Sequence, residues 1–204
     1  MKQETPGSHL TWLVQPDSAE VLQGLPDIDR LWQLDAETLP MLQVEKFDWV
    51  INLDLSGPSL ALATLAQGKK KSGFGLAKDG SAFCFSPEAE PYLAMSYWDD
   101  LKKKNQKTYQ QLMLDIIGSK TSPAEIQVYI PPDEIRYAHQ FFTTRGMKQA
   151  RPTVGLNIGA GGRWRWKRWT PGRFHQLAKI LWETEEANLL ILSGTKETDI
   201  KNEW

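Results

Sequence analysis

The chain has 204 residues, 41% hydrophobic and 24% charged, with a formal net charge of −1. That is ordinary for a folded globular protein of one large or two small domains. It excludes a broadly basic nucleic-acid binder, and with Cys84 the only cysteine it excludes an internal disulfide.

"HLTWLV" (9–14), a short apolar run rich in strand formers, predicts a strand, ended by Pro16. In "DSAE" (17–20), Asp17 is expected to cap a helix. "IDRLWQL" (28–34) alternates and predicts a short strand. "FDWVINLDL" (47–55) predicts a strand buried on both faces. Gly57-Pro58 opens an Ala/Leu helix expected to stop at Gly68. "KKKSGFGL" (69–76) predicts another strand, and 77–96 is irregular.

Trp98, Leu101, Asn105, Tyr109, Leu112 and Ile116 recur at spacings of three and four, which predicts one long helix ended by Gly118. "EIQVYI" (125–130) predicts a strand. A helix follows from Pro131-Pro132, with Ile135, Ala138 and Phe142 on one face and Gly146 as its stop. "KQARP" (148–152) reads as a linker.

A second unit then opens with the strand "TVGLNIGA" (153–160). "TPGRFHQLAKILWE" (170–183) predicts a helix with Thr170 as N-cap, Pro171 at the first position, and Phe174, Leu177, Ala178 and Leu181 as its buried stripe. "NLLILSG" (188–194) predicts a strand, and "TKETDIKNEW" the start of a helix. Strands alternating with helices imply an α/β fold with parallel sheets. The two units are expected at 1–147 and 148–204. The second holds too few strands to cover a sheet, so the chain is expected to be a fragment or to need a partner.

"GAGGRWRWKRW" concentrates chemistry at one strand end. Gly159, Ala160, Gly161 and Gly162 precede Arg163, Arg165, Lys167 and Arg168. Without those four cations the net charge would fall from −1 to −5, so the positive charge is local. Parallel sheets place ligands at the C-terminal ends of their strands. Small residues there let amides converge on an anion, and the next helix adds its dipole. No Gly-Lys-Ser/Thr follows, so this is not a P-loop, and Trp164 stands where a dinucleotide fingerprint has its third glycine. A cation near 4 Å contributes up to about 4 kcal/mol to an anion, against about 0.3–1 kcal/mol for a helix terminus. Lys167 is therefore the best-placed donor to a diphosphate, with a solvated lysine as the plain alternative. The arginines read as surface charge, Trp169 as a plug between helix and sheet, and Cys84 as a small buried hydrophobe. No Cys/His cluster has zinc spacing. The N-terminus has no apolar signal core, and no run reaches the roughly 18 apolar residues of a membrane span. A cytoplasmic location is expected.

The ordered set resembles glycosyltransferase family 9, the lipopolysaccharide heptosyltransferases. It includes "SHLTWLV", "IDRLWQLD", "FDWVINLD", "KKKSGFGL", "KNQKTYQQLMLDIIG", the strand–small-residue turn–Lys167-Arg168-Trp169-Thr170-Pro171–helix run, and Gly194-Thr195-Lys196-Glu197. The resemblance implies a GT-B-like architecture of two Rossmann-like domains, both incomplete here, with the acceptor on the first and a nucleotide-sugar donor on the second. It implies inverting transfer of a heptose-type sugar, with ADP-heptose as donor and a lipopolysaccharide core as acceptor, and no metal, cofactor or nucleic acid. Peripheral contact with the inner membrane fits that acceptor.

Carried over by position, Lys167 and the backbone of Gly159 to Gly162 would meet the diphosphate. Glu197 would accept from ribose hydroxyls, or would complement a helix dipole. Asn52, Asp54 and Ser56 would lie on the acceptor side, Asp54 equally serving as a helix cap. The family's first strand with its Gly-Asp turn, and its later Asp-Thr-Gly-x-x-His turn, have no counterpart. The base is therefore unassigned, and these residues alone are expected to be inactive. The rival reading is a non-catalytic α/β module whose Arg/Trp cluster docks to anionic lipid or single-stranded nucleic acid.

Overall fold

A computed structural model describes residues 2, 4–121, 124–159 and 165–194. The chain divides into two compact units, Met1–Tyr129 and Ile130–Trp204. This division falls one helix earlier than the sequence-based boundary at 147/148.

The first unit begins with β1 (Thr11–Val14), α1 (Pro16–Leu22), β2 (Arg30–Gln33), α2 (Thr38–Val44), β3 (Lys46–Asn52), α3 (Gly57–Leu65) and β4 (Gln67–Leu76). It continues through β5 (Ala82–Cys84), α4 (Glu90–Tyr97), α5 (Asp99–Lys104) and α6 (Tyr109–Ile117). β1 pairs with β2 and β3 with β4, both parallel, and β5 adds an antiparallel edge to β4. The α/β class with parallel sheets is therefore present.

Two cores hold this unit. Trp32, Leu42 and Ala66 form one, with Leu13, Phe47, Val50 and Leu62 packed around them. Leu60, Phe74, Ala89, Met113 and Ile116 form the other. Phe74 has no exposed surface; burying such a ring contributes roughly 1.5–3 kcal/mol. Burial on β3 differs from expectation, because none of its residues is fully buried. Cys84 is half-buried and packs on the second core.

Three consecutive lysines of β4 make three different contacts. Lys69 pairs with Asp48 at 2.7 Å, and Lys70 lies 3.9 Å from the centroid of the Trp49 ring. The Lys71 ammonium donates to the carbonyls of Ala63 and Thr64 at the end of α3, at 3.0 and 2.8 Å. A cation there satisfies carbonyls that have no partner within the helix.

Several expected elements differ. Gln15 is the N-cap of α1, with Pro16 at its first position and Asp17 in its first turn. The α3 helix ends at Leu65 rather than Gly68, because Gly68 is already paired with Phe47 in the sheet. The single helix expected over 98–116 is two. Asn105 accepts from the Lys107 amide and donates to its carbonyl, which turns the chain out of helix. Thr108 and Gln111 then form a reciprocal capping box that starts α6. Gly118 ends α6 at φ 69°, as expected of a left-handed C-cap. The strand expected over 125–130 is absent: these residues pair with no strand, and Ile126 is 85% exposed. Alternation alone does not make a strand without a neighbour to bond.

The second unit contains α7 (Pro132–Thr144), β6 (Thr153–Asn157), a 3-10 turn at Arg165–Lys167, α8 (Pro171–Thr184) and β7 (Asn188–Leu192). β6 and β7 pair in parallel from Thr153↔Asn188 to Asn157↔Leu192. The Asn188 amide ties the strand to the preceding segment by donating to the Lys148 carbonyl at 2.9 Å and the Thr153 hydroxyl at 3.3 Å. In α8, Ala178 is buried, while Phe174, Leu177 and Leu181 are half-buried on the expected stripe. The helix expected from Thr195 lies outside the described residues.

Candidate functional site

The candidate residues named from the sequence fall at two strand ends. The first follows β3. Asn52 faces Gly73 in the register, and Gly73 has φ +88°, with a β-carbon there falling 1.8 Å from the Asn52 carbonyl oxygen. Only glycine fits so close an approach. The Asn52 amide group donates to the Phe74 carbonyl at 2.8 Å and the Asp54 carbonyl at 3.0 Å, and its oxygen accepts from the Asp54 amide at 3.1 Å. Asn52 thus spends its hydrogen-bonding capacity on shaping the turn.

Asp54 completes that turn. One carboxylate oxygen accepts from the Ser56 amide at 3.0 Å. The other accepts from the hydroxyls of Ser56 and Ser59, each at 2.7 Å. Partial burial pushes the Asp54 carboxyl up, but the hydrogen bonds from Ser56, Ser59 and the local amides outweigh it, and the net direction is down. Asp54 is therefore held ionised. Ser59 joins this cluster although the sequence analysis did not name it; its signal was the spacing Asp54-x-Ser56-x-x-Ser59 at a helix start.

Tyr92 and Tyr109 were also missed, because they come from α4 and α6, far along the chain. Tyr92 packs on Phe74 with ring centroids 5.8 Å apart and meets Tyr109 edge-on at 6.4 Å. Leu53 and Leu55, on either side of Asp54, pack against the same core as Tyr92. Burial raises the Tyr92 phenol, and the charges of Tyr109 and Asp54 add to that.

The second strand end follows β6. The Asn157 side chain accepts from the Gly159 amide at 3.2 Å, so that amide is already engaged. Ala160, Gly161, Gly162 and Glu197 lie outside the described residues. Lys167 ends the 3-10 turn and is exposed. Trp169 is 44% exposed and meets Phe174 edge-on at 5.5 Å. It leans on the first turn of α8 instead of filling a gap beneath it. Thr170 is the N-cap of α8 by backbone geometry and makes no side-chain cap bond. Among the described residues no group of His, Cys, Asp and Glu is arranged to hold a metal ion, and no helix is long and apolar enough to cross a membrane.

No family model and no curated protein matches the sequence. Solved structures do match the arrangement of its elements. A glycosyl transferase family 9 protein from Veillonella parvula aligns with a TM-score of 0.72 at 16% identity, over 99% of this chain and 59% of its own. The ADP-heptose lipopolysaccharide heptosyltransferase II of E. coli aligns at 0.58 and 15% identity, over 99% and 60%. The E. coli heptosyltransferase WaaC, solved with ADP, aligns at 0.52 and 19%, over 99% and 62%. The fold is that of glycosyltransferase family 9 structures. The chain spans about three fifths of the length of each of these structures.

Proposed function

We propose that the chain is part of a glycosyltransferase of the family 9 type. In this reading an acceptor hydroxyl attacks the anomeric carbon of a heptose-type sugar. A carbon–oxygen bond forms, the bond to the nucleoside diphosphate breaks, and the configuration inverts. A carboxylate base takes the hydroxyl proton; it is not among the residues assigned here. ADP-heptose is the proposed donor and a lipopolysaccharide core the proposed acceptor, approached from the cytoplasmic face of the inner membrane. Residues 1–147 serve the acceptor, with Asn52, Asp54 and Ser56 at its side. Residues 148–204 begin the donor side, where Gly159 to Gly162, Lys167 and Glu197 meet the nucleotide.

The observation that carries this reading is the alignment of nearly the whole chain, at TM-score 0.72, with a family 9 transferase. Chemistry agrees with it. Lys167 stands on the 3-10 turn that leads into α8, where an ammonium can neutralise a departing diphosphate without a metal. The Gly159 amide is engaged by the Asn157 side chain. The likeness lends no support to the Arg/Trp cluster as a lipid or nucleic-acid module.

Calorimetric titration of ADP tests the donor site. Wild type is expected to bind, and Lys167→Ala to bind about tenfold or more weakly, the equivalent of one charge-assisted hydrogen bond. Equal affinities would remove Lys167 from the site, and absence of ADP binding by wild type would sink the donor reading.

A further inference from the structure

The corner between α4 and α5 presents a different kind of surface. The Trp98 amide donates to the Ala94 carbonyl at 3.0 Å and closes α4. The Trp98 carbonyl accepts from the Leu101 and Lys102 amides, at 3.1 and 3.4 Å, and opens α5. Trp98 itself is extended, at φ −118° and ψ 106°, so the chain turns there. Every residue from Ser96 to Lys104 is exposed. At the apex Tyr97 and Trp98 leave 64% and 65% of their surface to solvent, and Leu101 leaves 41%. These three line one open hollow of about 460 Å³ together with Asp99 and Asp100, so the apolar groups are neighbours. Tyr92 and Leu93 seat α4 on the core that holds Phe74, which fixes the corner on the first unit. We infer that this corner is a docking surface for a bilayer containing anionic lipid: Tyr97, Trp98 and Leu101 enter the headgroup layer, and Lys102, Lys103 and Lys104 meet lipid phosphates.

The residue types select this partner. Tyrosine and tryptophan favour the boundary between hydrocarbon and water, because each joins a broad apolar ring to one polar O–H or N–H. Leu101 and Lys102 follow Trp98 by three and four residues, the spacing that brings side chains to one helix face. An ammonium stem can lie along such an apolar surface while its head stays in the polar layer. From Trp98 to Lys107 four lysines stand against two aspartates, in a chain of net charge −1. The local charge therefore has the sign that lipid phosphate attracts. The pairs Lys102–Asp99 at 3.2 Å and Lys103–Asp100 at 3.8 Å are mostly exposed; such pairs hold weakly, and their ammonium groups can exchange to phosphate. Asp99 and Asp100 disfavour an unbroken row of phosphates such as a nucleic acid offers. A headgroup layer that mixes phosphate with ammonium groups has partners for both signs.

The surface rests on the transferase reading only for its purpose, which is to bring the chain to an acceptor carried by a lipid. Its test is therefore separate from the nucleotide. The full chain is sedimented with vesicles of phosphatidylethanolamine mixed with phosphatidylglycerol, and with vesicles of phosphatidylcholine alone. Wild type is expected to bind the first, less so as salt is raised, and to bind the second about tenfold or more weakly. Trp98→Ala is expected to weaken binding to the anionic vesicles about tenfold, and Lys102→Gln, Lys103→Gln and Lys104→Gln combined to weaken it about tenfold or more. Asp99→Asn with Asp100→Asn is expected to strengthen it about threefold or more, because repulsion is removed and two lysines are released. Trp166→Ala, which alters a ring 97% exposed on the second unit, is expected to bind as wild type does. All these residues are exposed, and unchanged circular dichroism verifies that each variant folds. No binding of wild type to anionic vesicles, equal binding to both kinds of vesicle, equal binding by wild type and Trp98→Ala, or a loss at Trp166 instead overturns the surface. ADP titration of the same samples reads the donor site. Vesicle binding of the expected pattern without ADP binding supports the surface and removes the donor reading; ADP binding without vesicle binding does the reverse.

Discussion

The ends of β3 and β6 start alike and then diverge. Each strand finishes on an asparagine whose side-chain oxygen accepts from the amide two residues on, Asp54 after Asn52 and Gly159 after Asn157. After β3 the next polar residues are Asp54, Ser56 and Ser59, and they close the turn on themselves. After β6 the sequence supplies Gly159, Ala160, Gly161 and Gly162, which have no side chains able to do so. A strand end that satisfies its own amides presents a fixed rim of acceptors. The same opening turn is thus followed by polar side chains after β3 and, in the sequence, by small residues after β6.

Substitutions can break this comparison. Gly73→Ala attacks the β3 end hardest, since its β-carbon would sit against the Asn52 backbone at a φ that side chains avoid. A loss of about 3 kcal/mol or more is expected in urea unfolding. Asn52→Ala removes three hydrogen bonds and leaves the Phe74 carbonyl short of a partner; about 2 kcal/mol is expected. Asn157→Ala removes one exposed bond, with about 0.5–1 kcal/mol expected. Equal losses at Asn52 and Asn157 would erase the contrast between the two turns.

The smallest effect concerns pH. The Asp54 carboxyl is held below its unfolded value. Its contribution is complete above the unfolded pKa of about 3.9 and disappears as pH falls through the lower folded value. Asp54→Asn is expected to flatten that part of the acid limb of stability. An unchanged acid limb would show that the serines do not favour the charged form.

Much of this architecture was legible locally. Pro58 and Pro171 mark helix starts, Gly118 a helix end, and the runs read as strands over 47–55 and 153–160 contain the parallel strands β3, which ends at Asn52, and β6, which ends at Asn157. The long helix misread over 98–116 had its correction in the sequence, because Thr108-x-x-Gln111 is a capping-box pattern that outweighs continuous periodicity. The strand expected over 125–130 could not be judged locally, since a strand exists only through its partner. At the candidate site, Asn52, Asp54 and Ser56 were readable from their place after a strand. Their division of labour was not, because Asn52 bonds to Phe74 across the sheet. Tyr92 joins the core that holds Leu53 and Leu55 only through packing of α4, and Tyr109 meets it from α6.

The lysine triplet of β4 has its own consequence. Successive side chains of a strand point to opposite faces, and here Lys69 meets a carboxylate, Lys70 a tryptophan ring and Lys71 the end of a helix. Three adjacent positive charges in the sequence therefore form no continuous stripe. A heparin column, which retains proteins through rows of neighbouring cations, would find no such row on this strand.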